Sequence, residues 1–220
     1  MTSESTNLTA KVYNHLKNDI LSGKYEKGTA LTETSVAQEL NVSRTPVREA
    51  LRQLELGELV TIVPNKGAIV EGVSVDDVRD IYEIRSLIEG IAAVHAVKNA
   101  TDEQIEQLSE IVDLTEFYLR RNDTEKLQDM DGKFHQCLYS ISKNRMLKHV
   151  LNELHGYGIR YREKSMQSSG RIEKTIIEHR DIMNAIKERN ADKAKDLDTL
   201  HINNALENIL LTDKKEDNLI

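Results

Sequence analysis

Four side chains in the second half of the chain have the types and spacing of a metal site. Asp131 and His135 are four residues apart, so on a helix they project from the same side. His179 and His201 each occupy an inward position in the apolar stripe of a separate helical segment. One carboxylate and three imidazoles suit a borderline divalent cation, with zinc the first choice and nickel, iron or manganese also acceptable. The pattern predicts a divalent metal site inside a helical domain.

These four residues also allow two other interpretations. A histidine on an apolar helix face is commonly a core residue held by hydrogen bonds, and the domain would then be a purely structural dimerisation domain. A metal with an open coordination position could instead activate water, as in a metal-dependent hydrolase. The sequence shows no nucleophile motif and no clear general base beside these ligands, so we expect a protein that is not an enzyme.

Six predicted helices must position these side chains. Apolar residues recur at helical spacing from residue 74 onward, and Ser, Thr, Asp and Gly residues separate the repeats. The predicted helices cover residues 74–99, 101–119, 123–142, 145–162, 171–189 and 192–211. Short loops between such helices favour an antiparallel bundle.

A second group of residues has the chemistry of DNA recognition. In the predicted helix Val42–Leu54, Ser43 is a good N-cap and Pro46 falls in the first turn. Its apolar side carries Val47, Ala50, Leu51 and Leu54, and its basic side carries Arg44, Thr45, Arg48 and Arg52. By itself this is equally the pattern of a surface helix with solvated arginines. Its neighbours favour DNA recognition.

The neighbouring segments complete a winged helix-turn-helix. A helix is predicted from Leu8 to Ile20, and a shorter one begins at Thr32 or Thr34 and ends at Asn41. A turn of about three residues then leads to the basic helix, which is the spacing of a helix-turn-helix. Beyond it, two runs of β-forming residues at 59–63 and 68–70 flank a turn that carries a lysine. The predicted fold is therefore mainly α, with a winged helix-turn-helix followed by an all-α antiparallel bundle.

Composition sets a few further limits. The chain has 220 residues and a net charge of −7, with the excess acid mostly beyond residue 72. A local basic surface is nevertheless sufficient for DNA. The single cysteine, Cys137, excludes an intrachain disulfide and fits a reducing compartment. No apolar run approaches a membrane span and residues 1–9 lack a basic and apolar leader, so we expect a cytoplasmic protein without membrane contact.

Two runs in the first domain are specific, LTETSVAQELNVSRTPVREALRQL at Leu31–Leu54 and VPNKGAIV at Val63–Val70. Together they resemble the DNA-binding domain of the GntR family of bacterial transcription regulators. The resemblance implies that the recognition helix contacts bases and phosphates and that the wing tip reaches the minor groove. The DNA-binding residues that it implies are Thr34, Arg44, Thr45, Arg48, Asn65, Lys66 and Gly67. The pattern of the basic helix adds Ser43 at its N-cap and Arg52 on its basic side.

Three runs in the second domain carry a further resemblance, DGKFH at Asp131–His135, EHRDIMNAI at Glu178–Ile186 and HI at His201. They resemble the FCD effector domain of the FadR branch of GntR regulators. That resemblance implies one Asp and three His as metal ligands, which fall on Asp131, His135, His179 and His201, and a small organic acid that binds at the metal. A six-helix domain is similar to the shorter, VanR-type group of that branch.

Arg85 is a candidate for binding the effector carboxylate, since a guanidinium group matches a carboxylate. It could equally pair with Glu89, one turn further along the same helix. Tyr157, Arg160 and Tyr161 could line the same cavity. The remaining histidines, His15, His95, His149 and His155, have no partner pattern and are predicted to be structural or surface residues.

Together these features predict a ligand-responsive transcription regulator, a repressor that binds a palindromic operator in double-stranded DNA as a homodimer. The predicted domains are a DNA-binding domain at 1–72, a linker at 73–75, an effector-binding and dimerisation domain at 76–212, and a tail at 213–220. An effector that favours a bundle geometry with mismatched spacing of the recognition helices must weaken operator binding by the same factor.

Overall fold

The computed structural model describes residues 3–168 and 170–217, and the chain forms two compact units whose boundary lies between Ser74 and Val75. Ser169, which was predicted to lie in a loop, and residues 218–220 of the predicted tail are outside the described range. None of the helices in that range is long and apolar enough to cross a membrane.

The N-terminal unit is a winged helix-turn-helix, as predicted. Its elements are α1 (Ser3–Leu21), β1 (Ala30–Leu31), α2 (Glu33–Glu39), α3 (Arg44–Leu56), β2 (Val60–Val63) and β3 (Gly67–Val70). Thr32 caps α2, because its hydroxyl accepts a hydrogen bond from the Ser35 N–H at 3.1 Å. Ser43 occupies the N-cap position of α3, but its side chain makes no capping hydrogen bond.

The wing contains one strand that the sequence pattern does not predict. β3 pairs with β2 on one side and with the short β1 on the other, and both pairings are antiparallel. β1 has two residues, of which Leu31 is buried, and so short a strand shows no alternating pattern. Its pairing attaches the wing to the segment that leads into α2.

Gly67 begins β3 at the point where the wing passes close to β1. Its φ is +90°, and an added Cβ would lie 2.6 Å from the Leu31 carbonyl oxygen. Both the positive φ and the close approach favour glycine. Asn65 at the wing tip also has a positive φ, 63°, which asparagine tolerates better than most residues.

Within the described residues, the C-terminal unit is an all-α bundle of seven helices, not the six that were predicted. They are α4 (Val75–Asn99), α5 (Asp102–Arg120), α6 (Thr124–Ile141), α7 (Arg145–Tyr157), α8 (Ile159–Met166), α9 (Arg171–Lys187) and α10 (Ala191–Asp217). The prediction of one helix over 145–162 was wrong, because the helix breaks at Gly158, and glycine is a poor helix former. The expected similarity to the VanR-type group depended on six helices and loses that support.

Small residues bring α4 close to α10. A Cβ on Gly90 would lie 2.8 Å from the side chain of Lys195 and 3.4 Å from its carbonyl oxygen, so a larger residue there would have to displace the Lys195 side chain. The apolar core lies beside this contact and includes the fully buried Ala92, Leu108, Phe134, Leu138, Ile182 and Ala194. α10 itself continues to Asp217, past its predicted end at Leu211, so the first part of the predicted tail is helical.

We predict that Gly67→Ala destabilises the wing by roughly 1–3 kcal/mol more than Gly28→Ala. Gly28 is a matched control, because its φ is +87° while no atom lies within 4 Å of an added Cβ. The difference between the two variants therefore measures the clash with Leu31 and not the backbone strain. Hydrogen exchange of the β2 and β3 amides in the full chain measures this difference, and equal protection in both variants would contradict the clash.

Candidate metal centre and DNA-recognition surface

Three imidazole rings from three helices converge in the interior of the bundle. His135 lies on α6, His179 on α9 and His201 on α10, and all three are buried. The Nε2 atom of His201 lies 3.3 Å from the Nε2 atom of His179 and 3.3 Å from that of His135. Zinc–imidazole bonds of about 2.0–2.1 Å at tetrahedral angles separate neighbouring nitrogens by about 3.3 Å. The two separations that involve His201 therefore match the spacing of ligands around one tetrahedral ion, and the ligand atoms of all three histidines lie within 4.8 Å of one another.

Carboxylates lie on the outer side of two rings, and the one on His201 is within hydrogen-bonding distance of its ring. Glu178 Oε2 lies 2.7 Å from His201 Nδ1, and Glu89 Oε2 lies 3.5 Å from His135 Nδ1. Burial acts to raise the pKa of Glu178, but the hydrogen bond with His201 and the Arg171 guanidinium hold it at about 2. An ionised carboxylate accepts only, so His201 carries its hydrogen on Nδ1 and turns the Nε2 lone pair inward.

Burial also favours the neutral form of the rings. It is the main cause that lowers the pKa of His179 well below its ordinary value, and the neighbouring His201, His135 and Arg171 lower it further. Burial likewise lowers the pKa of His201, although Glu178 opposes this effect. A metal ligand must be neutral imidazole, so the environment already holds these rings in the binding form.

Asp131 lies at the edge of this group and not among the three nitrogens. Its Oδ1 atom is 3.9 Å from His179 Nε2, and its Oδ2 atom forms an ion pair with Arg162, 3.2 Å from Nε. The structure thus brings the three predicted histidine ligands together and places the predicted carboxylate ligand against an arginine.

Arg85 makes the ion pair with Glu89 that was the simpler of its two interpretations. The Nε to Oε1 distance is 2.6 Å and both side chains are fully buried. The guanidinium also stacks over the Tyr82 ring at 4.6 Å and lies 3.5 Å from His155 Nδ1. Its Nη1 atom has no hydrogen-bond partner among the described residues, so one face of Arg85 is left with a free donor.

Two cavities adjoin the histidines. The inner one has a volume of about 20 Å³ and is lined by residues that include Tyr82, Arg85, Asp131, His135, Arg162 and His201. The outer one is a groove of about 640 Å³ between α6, α7 and α8, lined by residues that include Gln128, Gln136, Lys148, Asn152, His155 and Arg162. Arg162 belongs to the lining of both.

The predicted effector residues of the α7–α8 segment do not line either cavity. Arg160 is exposed, and Tyr157 and Tyr161 are half-buried on another side of the segment. The inward positions are instead His155 and Arg162, seven residues apart. His155 is buried, 5.0 Å from the His135 ring centroid, so its assignment as an unpartnered histidine missed its place beside the site.

Further functional candidates carry weaker sequence signals. Glu178 directly precedes His179, and Asp198 comes one turn before His201 on α10. Asp198 is fully buried, and burial together with the nearby Glu89 raises its pKa well above the ordinary value. Acidic residues are so common on helices that only their partners in space identify these two.

The recognition helix presents a basic surface in the N-terminal unit. Arg44 and Arg48 of α3 are about half exposed, and both donate to the carboxylate of Glu33 at the start of α2. The hydrogen bond from Arg48 is the largest cause that lowers the pKa of Glu33 to about 2, so this carboxylate is ionised. The other predicted side chains are exposed as well, namely Thr34, Ser43, Thr45, Arg52, Asn65 and Lys66, while Gly67 is half-buried.

Comparison with known proteins assigns each of the two units to a protein family. Residues 8–70 match the family described as bacterial regulatory proteins, gntR family, and residues 80–204 match the FCD domain. The chain is 31% identical over 209 residues to the HTH-type transcriptional regulator YdhC of Bacillus subtilis, with 93% of each chain covered. It is 29% identical over 199 residues to the HTH-type transcriptional repressor RspR of Escherichia coli K12, covering 90% of this chain and 87% of RspR.

Solved structures share the fold. McbR/YncC of E. coli superimposes with a TM-score of 0.78 at 22% identity and covers 98% of this chain and 100% of its own. A GntR transcriptional regulator from Rhodococcus sp. RHA1 gives a TM-score of 0.71 at 22% identity, with 95% and 98% covered. The relatives are regulators and not enzymes. The chain belongs to the GntR family of bacterial transcription regulators, as a DNA-binding regulator with a C-terminal FCD domain.

Proposed function

We propose that this regulator is a ligand-responsive repressor in which a divalent metal ion in the bundle takes part in binding a small organic acid. The observation that carries the proposal is the convergence of the buried Nε2 atoms of His135, His179 and His201. These three residues would hold the ion, and Asp131 is the candidate for a fourth ligand. A bound ion supplies two positive charges and open coordination positions that accept carboxylate oxygens.

The donor set favours zinc. Imidazole nitrogens suit zinc, nickel and iron, and a set that includes a carboxylate also accepts manganese. The 3.3 Å separations between Nε2 atoms fit tetrahedral zinc best, because octahedral geometry would bring neighbouring nitrogens closer together. The carboxylates behind His201 and His135 are the partners that metal-bound histidines usually have.

The charges around the histidines support an anionic effector. Among the described residues, three arginine–carboxylate ion pairs surround the site, and they are Arg85–Glu89, Arg162–Asp131 and Arg171–Glu178. Each pair is neutral, so the surroundings offer no surplus negative charge for a divalent cation. Uncompensated charge is costly in a buried site, and a carboxylate ligand would reduce that cost.

The inner cavity also offers donors to such a ligand. Arg85 Nη1 and Tyr82 Oη are buried and have no hydrogen-bond partner among the described residues. A guanidinium edge and a phenol are suitable donors for carboxylate oxygens. We therefore retain Arg85 as an effector-binding residue despite its ion pair with Glu89. The cavity volume of about 20 Å³ holds little more than one water, so an organic acid requires side chains to move.

We further infer that a homodimer binds a palindromic operator. Helix-turn-helix proteins read two half-sites about one helical turn apart with two recognition helices, and this chain supplies one. An apolar stripe on α4 supports self-association, since Ile84, Leu87 and Ile91 are exposed at spacings of three and four residues. A second copy that presents the same stripe would cover it across a two-fold axis.

The regulatory mechanism would be thermodynamic linkage. If the acid binds more tightly to a dimer whose recognition helices are wrongly spaced, operator binding weakens by the same factor. In this mechanism, the arginines of α3 contact the DNA. The histidines of the bundle hold the metal ion, and its arginines bind the effector. The alternative function is that of a DNA-binding protein whose bundle serves only for dimerisation. The histidines of the bundle would then bind no metal ion.

We predict that His179→Ala lowers the metal content of the purified protein about 10-fold or more, because one of three converging ligands is lost. His149→Ala is the matched control, since His149 is exposed on α7. Elemental analysis of both variants and the unsubstituted protein measures the effect. In addition, a chelator should lower the melting temperature of the unsubstituted protein but not of His179→Ala. Equal metal in all three proteins would assign the histidines a structural role.

We predict that Arg48→Ala weakens specific operator binding by roughly 1–3 kcal/mol while the fold is retained. The operator is first selected from random duplex DNA with the purified protein, and gel-shift titrations follow at one fixed salt concentration. Lys27→Ala serves as the control, because Lys27 is an exposed cation of the same unit outside α3 and the wing tip. Unchanged affinity of Arg48→Ala would contradict the assignment of α3 as the recognition helix.

A further inference from the structure

Arg162 stands between the two cavities beside the histidines. It lines the inner cavity of about 20 Å³ together with Asp131, and it lines the outer groove of about 640 Å³ together with His155. The outer groove has the size of a small-molecule site, whereas the inner cavity does not. Two side chains, Arg162 and Met166, line both cavities, and of these two only Arg162 carries a charge that can pair with an acid.

Arg162 is held in this position by two contacts. Its Nε atom lies 3.2 Å from Asp131 Oδ2, and its Nη1 atom donates to the His155 carbonyl oxygen at 3.0 Å. The side chain retains 15% exposure, so its guanidinium already reaches solvent. It also belongs to α8, which Gly158 separates from α7. Moving this side chain outward therefore requires neither unfolding of a helix nor exposure of the core.

Of the three ion pairs around the site, Arg162–Asp131 is the one most able to open. Arg85–Glu89 is fully buried at 2.6 Å. In the third pair, Arg171 donates two hydrogen bonds to Glu178, whose carboxylate is further held by His201 and Asn204. Asp131 has no comparable network, because the contact with Arg162 is an ion pair only.

Asp131 is also the carboxylate nearest to the ligand nitrogens on its own helix. It lies one turn before His135 on α6, and its Oδ1 atom is 3.9 Å from His179 Nε2. The ion pair with Arg162 holds the other oxygen, Oδ2, so a shift of this carboxylate towards the three histidines works against that ion pair.

We propose that Arg162 is an exchange residue: it pairs with Asp131 when no acid is bound and with the carboxylate of the effector when one enters, which releases Asp131 to the metal. This inference depends on the proposed metal site and deepens it. Metal and acid then bind cooperatively, because each favours the same released state of Asp131. The outer groove is lined by the amides of Gln128, Gln136 and Asn152 together with charged side chains of both signs, so it offers hydrogen-bonding partners to polar groups beyond the carboxylate of the acid.

A double-mutant cycle on metal affinity tests the exchange. Zinc affinity of the full-length, metal-stripped protein is measured by competition with a chromophoric chelator. The proteins compared are unsubstituted, Arg162→Gln, Asp131→Asn and the double variant, with Arg160→Gln as an exposed control on the same helix. We expect Arg162→Gln to raise zinc affinity roughly 10-fold when Asp131 is present and much less in the Asp131→Asn background. Arg160→Gln should change nothing.

The cycle separates release of Asp131 from a simple change of charge. Loss of a cation raises zinc affinity equally in both backgrounds, and equal gains would overturn the proposal. A fall in zinc affinity for Arg162→Gln would also overturn it, since Arg162 would then support the ligand. Co²⁺ provides a second readout, because its visible spectrum should change on Arg162→Gln only when Asp131 can join the ligands.

Binding of the acid is tested with acetate, a simple carboxylate, at constant ionic strength. Acetate should raise the zinc affinity of the unsubstituted protein and have no effect on Arg162→Gln, and an equal effect on both would overturn the exchange. Should Arg162→Gln lose its circular dichroism signal, Arg162→Met repeats the cycle with a similar apolar stem. Equal zinc binding by the unsubstituted protein and His179→Ala would instead reject the metal site itself, which distinguishes the two failures.

Discussion

Three imidazole rings share the interior of the bundle with three arginine–carboxylate pairs, and the need to keep this interior electrically balanced governs the C-terminal unit. A buried charge without a partner costs several kcal/mol, so each arginine that reaches the site is matched by an acid. Glu89 serves Arg85 and lies beside His135, and Glu178 serves Arg171 and His201. Glu178 thus pairs a cation and also orients the His201 ring.

This balance links the structure of the site to its use. Burial lowers the pKa of His179 and of His201 and so favours the neutral form that binds a cation, yet the paired surroundings do not compensate the charge that a cation brings. An anionic effector that enters from solvent would supply the negative charge that the bound cation lacks. The DNA-binding unit uses pairing differently, because Glu33 holds Arg44 and Arg48 at the surface, where salt and phosphates compete for them.

Much of the fold and part of the site could be predicted from the sequence. Features that depend on the local helical repeat were predicted, and features that depend on contacts between distant segments were not. Helical periodicity assigns His135, His179 and His201 to inward positions, because an inward position depends only on the local repeat. Arg162 was missed although it lies seven residues after His155, a spacing that puts two residues on the same side of a helix. Neither residue has a local partner pattern, and Tyr157, Arg160 and Tyr161 were the candidates named for this segment.

Contacts between residues that are distant in sequence could not be predicted either. The pair of Arg162 with Asp131 and the approach of His155 to His135 join residues of different helices, so no spacing reveals them. Within the N-terminal unit, β1 is recognisable only through its pairing with β3. The local ion pair of Arg85 with Glu89, by contrast, follows from their separation of one turn, and it was one of the two interpretations considered.

The close contact of α4 with α10 at Gly90 has a consequence for the order of assembly. α4 is the first helix of the bundle and α10 is the last. Gly90 therefore leaves the ribosome more than 100 residues before Lys195, and α4 cannot make this contact until α10 has been synthesised. His201 arrives on that same last helix. The cluster of imidazoles therefore cannot form on a nascent chain until the whole bundle has been synthesised, whereas the winged helix-turn-helix is complete long before.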